Sequence, residues 1–92
     1  MLPLTDPLLV VKEFWTRYSY NPAAHYYVRA IYFTEEEQAD HPDEVQLLDQ
    51  FLEMLNRDKF LTYSYEYSPD SPPIKMFQLT PMGIALGKQL SN

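Results

Sequence analysis

The hydrophobic positions of the first third of the chain recur at helical spacing. They are Leu8, Val11, Trp15 and Tyr18. Asp6 and Pro7 stand just before them, an N-cap residue followed by the proline that suits a first helical position. Pro22 ends the pattern, because the residue before a proline is driven out of helical geometry. The sequence therefore predicts a helix from about residue 7 to 19.

The segment from His25 to Thr34 alternates side chains with a period of two and is rich in aromatic and β-branched residues. Such content favours a strand. A second interpretation stays open, because Asn21-Pro22-Ala23-Ala24 is also able to cap a helix, and this segment would then be helical.

A long amphipathic helix is predicted over residues 43–57. Its wide apolar stripe consists of Val45, Leu48, Leu52 and Leu55, joined by Leu47, Phe51 and Met54. Acidic residues in the first turn and Arg57 in the last suit the helix dipole. Glu53 is placed to form an i,i+4 pair with Arg57. The acidic stretch before this helix, from about residue 35, is predicted to be a loop.

Two alternating segments, about 60–67 and 74–79, flank a proline-rich tip and predict a β-hairpin. Tyr63, Tyr65 and Tyr67 share one face with Leu61. Because an alternating aromatic strand in a small domain usually covers its own helix, we expect this face to be core. The alternative is an exposed face, which would then be a patch for binding a partner. The other edge of the hairpin remains available to a partner strand, unless the prolines block it.

The end of the chain reads as a strand that runs into a capped helix. Thr80 is a good N-cap and Pro81 suits the first helical position. The stretch Phe77-Gln78-Leu79-Thr80-Pro81-Met82-Gly83 resembles the close of winged helix-turn-helix proteins, in which the second wing strand ends in aromatic-x-Leu-Thr and enters a helix carrying Gly and Leu.

The resemblance covers about residues 43–90, since Phe51-Leu52-Glu53-Met54-Leu55 is followed by Lys59-Phe60-Leu61, a hairpin and the Thr80-Pro81 helix start. It implies an α+β fold: a small winged-helix-like domain with helices packed against a two- or three-stranded antiparallel sheet. We expect residues 1–92 to form one such domain, since 92 residues are too few for two cores.

Composition narrows the possible functions. The chain has no cysteine, so a thiolate nucleophile, a disulfide framework and Cys-based metal sites are excluded. His25 and His41 fall in different predicted elements, and no nucleophile or phosphate-loop motif is present. We expect a protein that is not an enzyme and has no cofactor. The N-terminus has neither a signal-peptide pattern nor a membrane-spanning run, which favours a cytoplasmic protein.

Charge is the strongest indication of a partner. The net charge is −6, and no Lys or Arg occurs between Arg29 and Arg57, where eight acids lie. Such a field attracts basic protein surfaces. We therefore expect a regulatory or adaptor protein that binds a basic protein, including the case of an inhibitor that mimics nucleic acid. The residues predicted to bind are Glu35, Glu36, Glu37, Asp40, Asp43, Glu44 and Asp49.

The alternative implied by the resemblance is a DNA-binding transcriptional regulator, in which the helix before the wing enters the major groove. Its contacts in this chain would be Gln46, Gln50, Arg57, Lys59 and Lys75. We place this alternative second, because the carboxylates of the same helix would face DNA phosphates.

A second alternative is calcium binding at an irregular acidic site, since carboxylate oxygens are the ligands that Ca²⁺ prefers. The sequence has no EF-hand loop. A homodimer is also compatible with the composition.

Overall fold

The computed structural model describes residues 3–92 and shows a helical domain from which one β-hairpin projects. The predicted α+β class is confirmed. The predicted domain of residues 1–92 includes Met1 and Leu2, which lie outside the described residues. The elements are α1 Pro7–Tyr18, α2 Arg29–Tyr32, α3 Glu35–Asp40, α4 Pro42–Arg57, β1 Leu61–Ser68, β2 Ser71–Leu79 and α5 Pro81–Ser91.

The buried side chains form one cluster between α1, α4 and the base of the hairpin. In α4 the centre of the predicted stripe is confirmed, since Leu48, Leu52 and Leu55 are all buried. Met54, also assigned to the stripe, is 38% exposed, because it lies at the margin of the buried side. In α1 the buried residues are Val10, Val11 and Phe14. Leu8, predicted to lie on the apolar face, is 39% exposed. The prediction for Leu8 was wrong because α1 packs against both α4 and α5. The side of α1 that faces these two helices is the one that carries Val10, Val11 and Phe14.

Two glycines let α5 approach its neighbours closely. A Cβ atom at Gly87 would lie 2.5 Å from Cβ of Trp15 in α1, and one at Gly83 would lie 2.1 Å from the carbonyl oxygen of Phe60. Real Cβ atoms essentially never come so close to another heavy atom. The helix starts as predicted, because the Thr80 hydroxyl accepts from the amide of Gly83. Only glycine permits this packing of α5.

The predicted strand over residues 25–34 is wrong. Only Tyr26 pairs with the sheet, through an antiparallel bridge to Phe77 in β2 with N···O distances of 2.7 and 2.8 Å. Residues 29–32 form α2, in agreement with the alternative that the sequence left open. The alternating pattern predicted the wrong element because Ile31, Tyr32 and Phe33 are consecutive and all buried. A short helix and the turn after it bring all three to the core, whereas a strand would expose every second one.

The acidic stretch predicted to be a loop contains α3. Thr34 and Glu37 form a capping box, in which the Thr34 hydroxyl accepts from the Glu37 amide and the Glu37 carboxylate accepts from the Thr34 amide. This backbone hydrogen bond lowers the pKa of Glu37. Three glutamates in the first turn also suit the helix dipole. The acids of this stretch therefore lie on a helix whose first turn is stabilised by local hydrogen bonds.

The hairpin is confirmed, with a connection shorter than predicted: only Pro69 and Asp70 separate the strands. Its outer part projects from the core, so every residue of β1 after Leu61 is exposed. The expectation that the tyrosine face is core was wrong, since Tyr63, Tyr65 and Tyr67 are 40%, 46% and 75% exposed. Only the base of the hairpin, at Leu61, Phe77 and Leu79, is covered by helices.

We predict that Gly87→Ala destabilises the fold. The added methyl group would force α1 and α5 apart, and overpacking of this kind costs about 1–3 kcal/mol, more than the gain of at most about 1 kcal/mol from better helix propensity. The measurement is the free energy of unfolding in urea. Gln89→Ala, at an exposed position of the same helix, is the control and should change it by no more than about 0.5 kcal/mol. Equal stability of the Gly87→Ala variant and the wild type would contradict the close packing.

A second prediction concerns stability at high pH. Burial, reinforced by the carboxylate of Glu13, raises the pKa of the Tyr32 phenol to about 12, whereas an exposed tyrosine has a pKa of about 10. The folded state therefore favours the neutral phenol. The contribution of the neutral Tyr32 phenol to the free energy of unfolding is complete below a pH of about 10 and is lost as the pH rises through about 12.

We accordingly expect the free energy of unfolding to fall more steeply across this pH range in the wild type than in Tyr32→Phe. Urea unfolding of both proteins at a series of pH values tests this. The phenylalanine variant is the control, because it keeps every other titrating group of the wild type. Parallel pH profiles would show that Tyr32 does not titrate late.

Candidate interaction surfaces

Six of the seven predicted partner-binding acids lie on one continuous segment, formed by α3 and the first turn of α4. We call Glu35, Glu36, Glu37, Asp40, Asp43 and Glu44 the acidic corner. One residue, His41, separates the end of α3 from the start of α4, so the first turn of α4 follows directly on the carboxylates of α3. Glu36, Asp40 and Asp43 are exposed, and His41 Nδ1 lies 3.9 Å from Glu44 Oε2, where it attracts that carboxylate only when protonated.

The structure separates the seventh acid, Asp49, from this group. Its carboxylate receives two hydrogen bonds from Arg29, at 2.7 and 3.2 Å. The same bonds raise the pKa of Arg29. Asp49 is therefore already paired within the chain and is less available to a partner than the acidic corner. Arg29 was not recognised from the sequence, because the pair depends on the position of α2 relative to α4 and residues 29 and 49 carry no local signal.

The exposed face of α4 mixes amide and acidic side chains. The predicted DNA contacts Gln46, Gln50 and Arg57 lie on one side of the helix, since their spacings of four and seven residues return to nearly the same angle. Glu53 falls on that same side. The predicted Glu53–Arg57 ion pair does not form in the part of the chain that the structure covers. A carboxylate therefore lies between the amides and the only base of this face.

The remaining predicted DNA contacts are separated from one another. Lys59 stands in the connection between α4 and β1 with φ of 68°, a left-handed conformation that ends the helix. Lys75 lies on β2, and its Nζ is 4.1 Å from the centre of the Tyr63 ring. This cation–π contact holds the ammonium group against the tyrosine face. Lys75 faces α4 across a groove that Glu53 also lines, whereas Lys59 is not among the residues lining that groove.

A groove of about 520 Å³ separates α4 from β2. Val28, Leu52 and Phe77 contribute apolar surface to it. Its lining also includes the Arg29–Asp49 pair, Glu53 and Lys75, so positive and negative side chains are present in equal number. This groove could not be predicted from the sequence, because its lining comes from segments far apart in the chain, residues 27–29, 49–53 and 71–77.

The acidic residues do not converge on a metal site. Within residues 3–92 no group of three or more His, Asp or Glu side chains is arranged to hold a metal ion. Five of the six acids in the corner are distributed over helical first turns, whose exposed side chains point into solvent.

None of the helices in the described part of the chain is long and apolar enough to cross a membrane.

Comparison with known proteins adds no relative: no family model matches the chain, and no curated protein or solved structure shows significant similarity to it.

We predict a measurable coupling between Arg29 and Asp49. In a double-mutant cycle with Arg29→Met and Asp49→Asn, the interaction should contribute about 0.5–1 kcal/mol to the free energy of unfolding. Both side chains are more than a third exposed, at 37% and 44%, so water screens the attraction. Methionine keeps most of the apolar stem of the arginine. A coupling energy of zero would contradict the prediction that this pair stabilises the fold.

Proposed function

We propose that this protein is a non-enzymatic, winged-helix-like module that binds a basic protein partner through its acidic corner. The winged-helix part of the proposal is supported by the order of elements. A first helix is followed by a single strand residue at Tyr26, then by α2, α3 and α4, the hairpin and α5. Tyr26 lies beside β2, in the position that a third strand would take, which also supports this part of the proposal.

The observation that carries the proposed partner is the uniform sign of charge at the acidic corner. Six carboxylates occur within ten residues, and no Lys or Arg lies in the sequence from residue 30 to 56. Arg29, the nearest base in sequence, is held by Asp49. Because no Lys or Arg is interleaved with these acids along the chain, the corner favours a partner that carries positive charge.

Protein is favoured over DNA because of the surface of α4. In a winged-helix protein this helix would approach the duplex, and affinity would come chiefly from neutralising phosphates with Lys and Arg. Here the helix begins with Asp43 and Glu44, carries Glu53 between its amides and offers Arg57 alone. Lys59 follows the end of the helix, and Lys75 lies on β2 across the groove. DNA binding is accordingly the outcome against which the proposal is tested.

Fluorescence anisotropy provides the test, with two labelled probes at about 50 mM salt: an arginine- and lysine-rich peptide and a random-sequence DNA duplex. We expect the peptide to bind and the duplex not to bind. Glu36→Lys/Asp40→Lys should weaken peptide binding at least about tenfold, because it reverses two exposed charges of the corner. Both positions lie outside the capping box, so α3 should persist.

The matched control is Asp58→Lys/Asp70→Lys, which changes the net charge by the same amount at exposed positions outside the corner. It should reduce binding much less. Equal losses in the two variants would show that net charge alone attracts the peptide and would refute the acidic corner as the site. Duplex binding that fades by about 200 mM salt would instead favour the DNA-binding alternative.

A further inference from the structure

The bridge at Tyr26 shows which backbone groups point outward on each edge of the hairpin. Both backbone polar groups of Phe77 bond to Tyr26, on the side of β2 away from β1. Because successive residues of a strand direct these groups to opposite sides, those of Met76 and Gln78 face β1. Tyr63 is opposite Phe77, and Tyr65 is opposite Lys75. The backbone groups of Tyr63 and Tyr65 therefore face outward, away from β2.

The outer edge of β2 is protected. Tyr26 occupies it at Phe77, and Pro73 lacks the amide that a further strand would need. Near the tip the pairing shifts, so that Pro72 and Pro73 stand opposite the single residue Tyr67. Prolines and bulges are devices by which edge strands avoid pairing with other chains.

The outer edge of β1 has no comparable protection beyond its first residue. At Leu61 the side-chain amide of Asn56 donates to the backbone carbonyl oxygen at 2.9 Å and covers the start of the edge. From Thr62 to Ser68 the strand contains no proline and only one charged residue, Glu66, and all seven residues are exposed. A free edge of this length is a template for pairing with another strand.

We infer that β1 pairs with β1 of a second copy of this chain, antiparallel about a twofold axis at Tyr65. In this register Tyr63 lies opposite Tyr67 of the second copy, and all three outward-facing residues of the free edge form hydrogen bonds. Ser64 lies opposite Glu66 of the second copy, so no like charges meet. The tyrosine faces of the two hairpins then form one surface, on which neighbouring rings within a chain already lie 5.7 and 6.3 Å apart.

Neighbouring registers are less favourable for reasons that the structure gives. An axis at Glu66 would place the two Glu66 carboxylates opposite each other, and like charges directly opposite destabilise a sheet. An axis at Tyr63 or Ser64 would require Leu61 to pair, although its carbonyl is already bonded to Asn56. The axis at Tyr65 is the one that uses the free edge and avoids both conflicts.

The dimer is expected to be weak and to strengthen with salt. One strand pair covers much less than the roughly 1,200–2,000 Å² of a typical stable interface. Each chain also carries a net charge of −6, so the copies repel at low ionic strength. Peptide binding at the acidic corner should respond to salt in the opposite direction, so failure of the dimer and failure of the proposed function are distinguishable.

Sedimentation velocity over a range of protein concentrations, at about 50 and about 500 mM salt, tests the inference. The wild type should dimerise, more tightly at high salt. Ser64→Glu should weaken the dimer at least about fivefold, since it places a carboxylate opposite Glu66 twice per dimer. Ser64→Glu/Glu66→Lys should restore it, because the pairs become oppositely charged. Gln89→Glu, on α5, adds the same charge as Ser64→Glu and should leave the dimer nearly unchanged.

Tyr65→Pro gives a second measurement, because it removes an outward amide that the hairpin itself does not use. It should abolish the dimer, whereas Tyr65→Ala keeps the amide and should retain measurable association. Circular dichroism confirms that each variant is folded. A monomer at every concentration and salt, or a dimer that responds equally to Ser64→Glu and Gln89→Glu, would overturn the proposed interface.

Discussion

The two hydrogen bonds between Tyr26 and Phe77 are the constraint on which the arrangement of this protein depends. They connect the helical N-terminal half of the chain to the hairpin, and they lie at the boundary between its buried and exposed parts. Phe77 is buried beside them, whereas the part of β2 from Ser71 to Lys75 is exposed. The same two bonds determine which backbone groups face outward on each strand. Phe77 also lines the groove beside α4, and the register carries the orientation of this bridge over to the free edge of β1.

Electrostatics divides the surface into regions of different character. The acidic corner is built on helix starts, where carboxylates are stabilised by free amides and the helix dipole. This local stabilisation favours the charged form of carboxylates at helix starts, where five of the six acids of the corner lie. Further along α4, Asp49 is neutralised by Arg29, and Lys75 lies on an aromatic ring. Positive side chains are thus engaged near the groove, whereas the corner keeps its charge.

Much of the secondary structure could be predicted because its signals are local. Asp6-Pro7 and Thr80-Pro81 start helices through their own side chains and ring geometry, and the spacing of Leu48, Leu52 and Leu55 identifies the buried side of α4. The segment 25–34 was misread as a strand, because aromatic and β-branched residues suit a strand and a crowded core equally well. Its tyrosines and isoleucine are placed by the elements around them rather than by their own preference.

Helix starts, the hairpin, the α+β class and the concentration of acids before α4 could all be predicted from the sequence, since each depends on residues close together in the chain. Tertiary structure alone decided that Arg29 meets Asp49, that Gly87 lies against Trp15 and that the tyrosine face of β1 remains exposed. These features depend on where separate elements come to rest. Exposure in particular follows from the size of the core: the helices are large enough to cover the base of the hairpin, and its outer half extends beyond them.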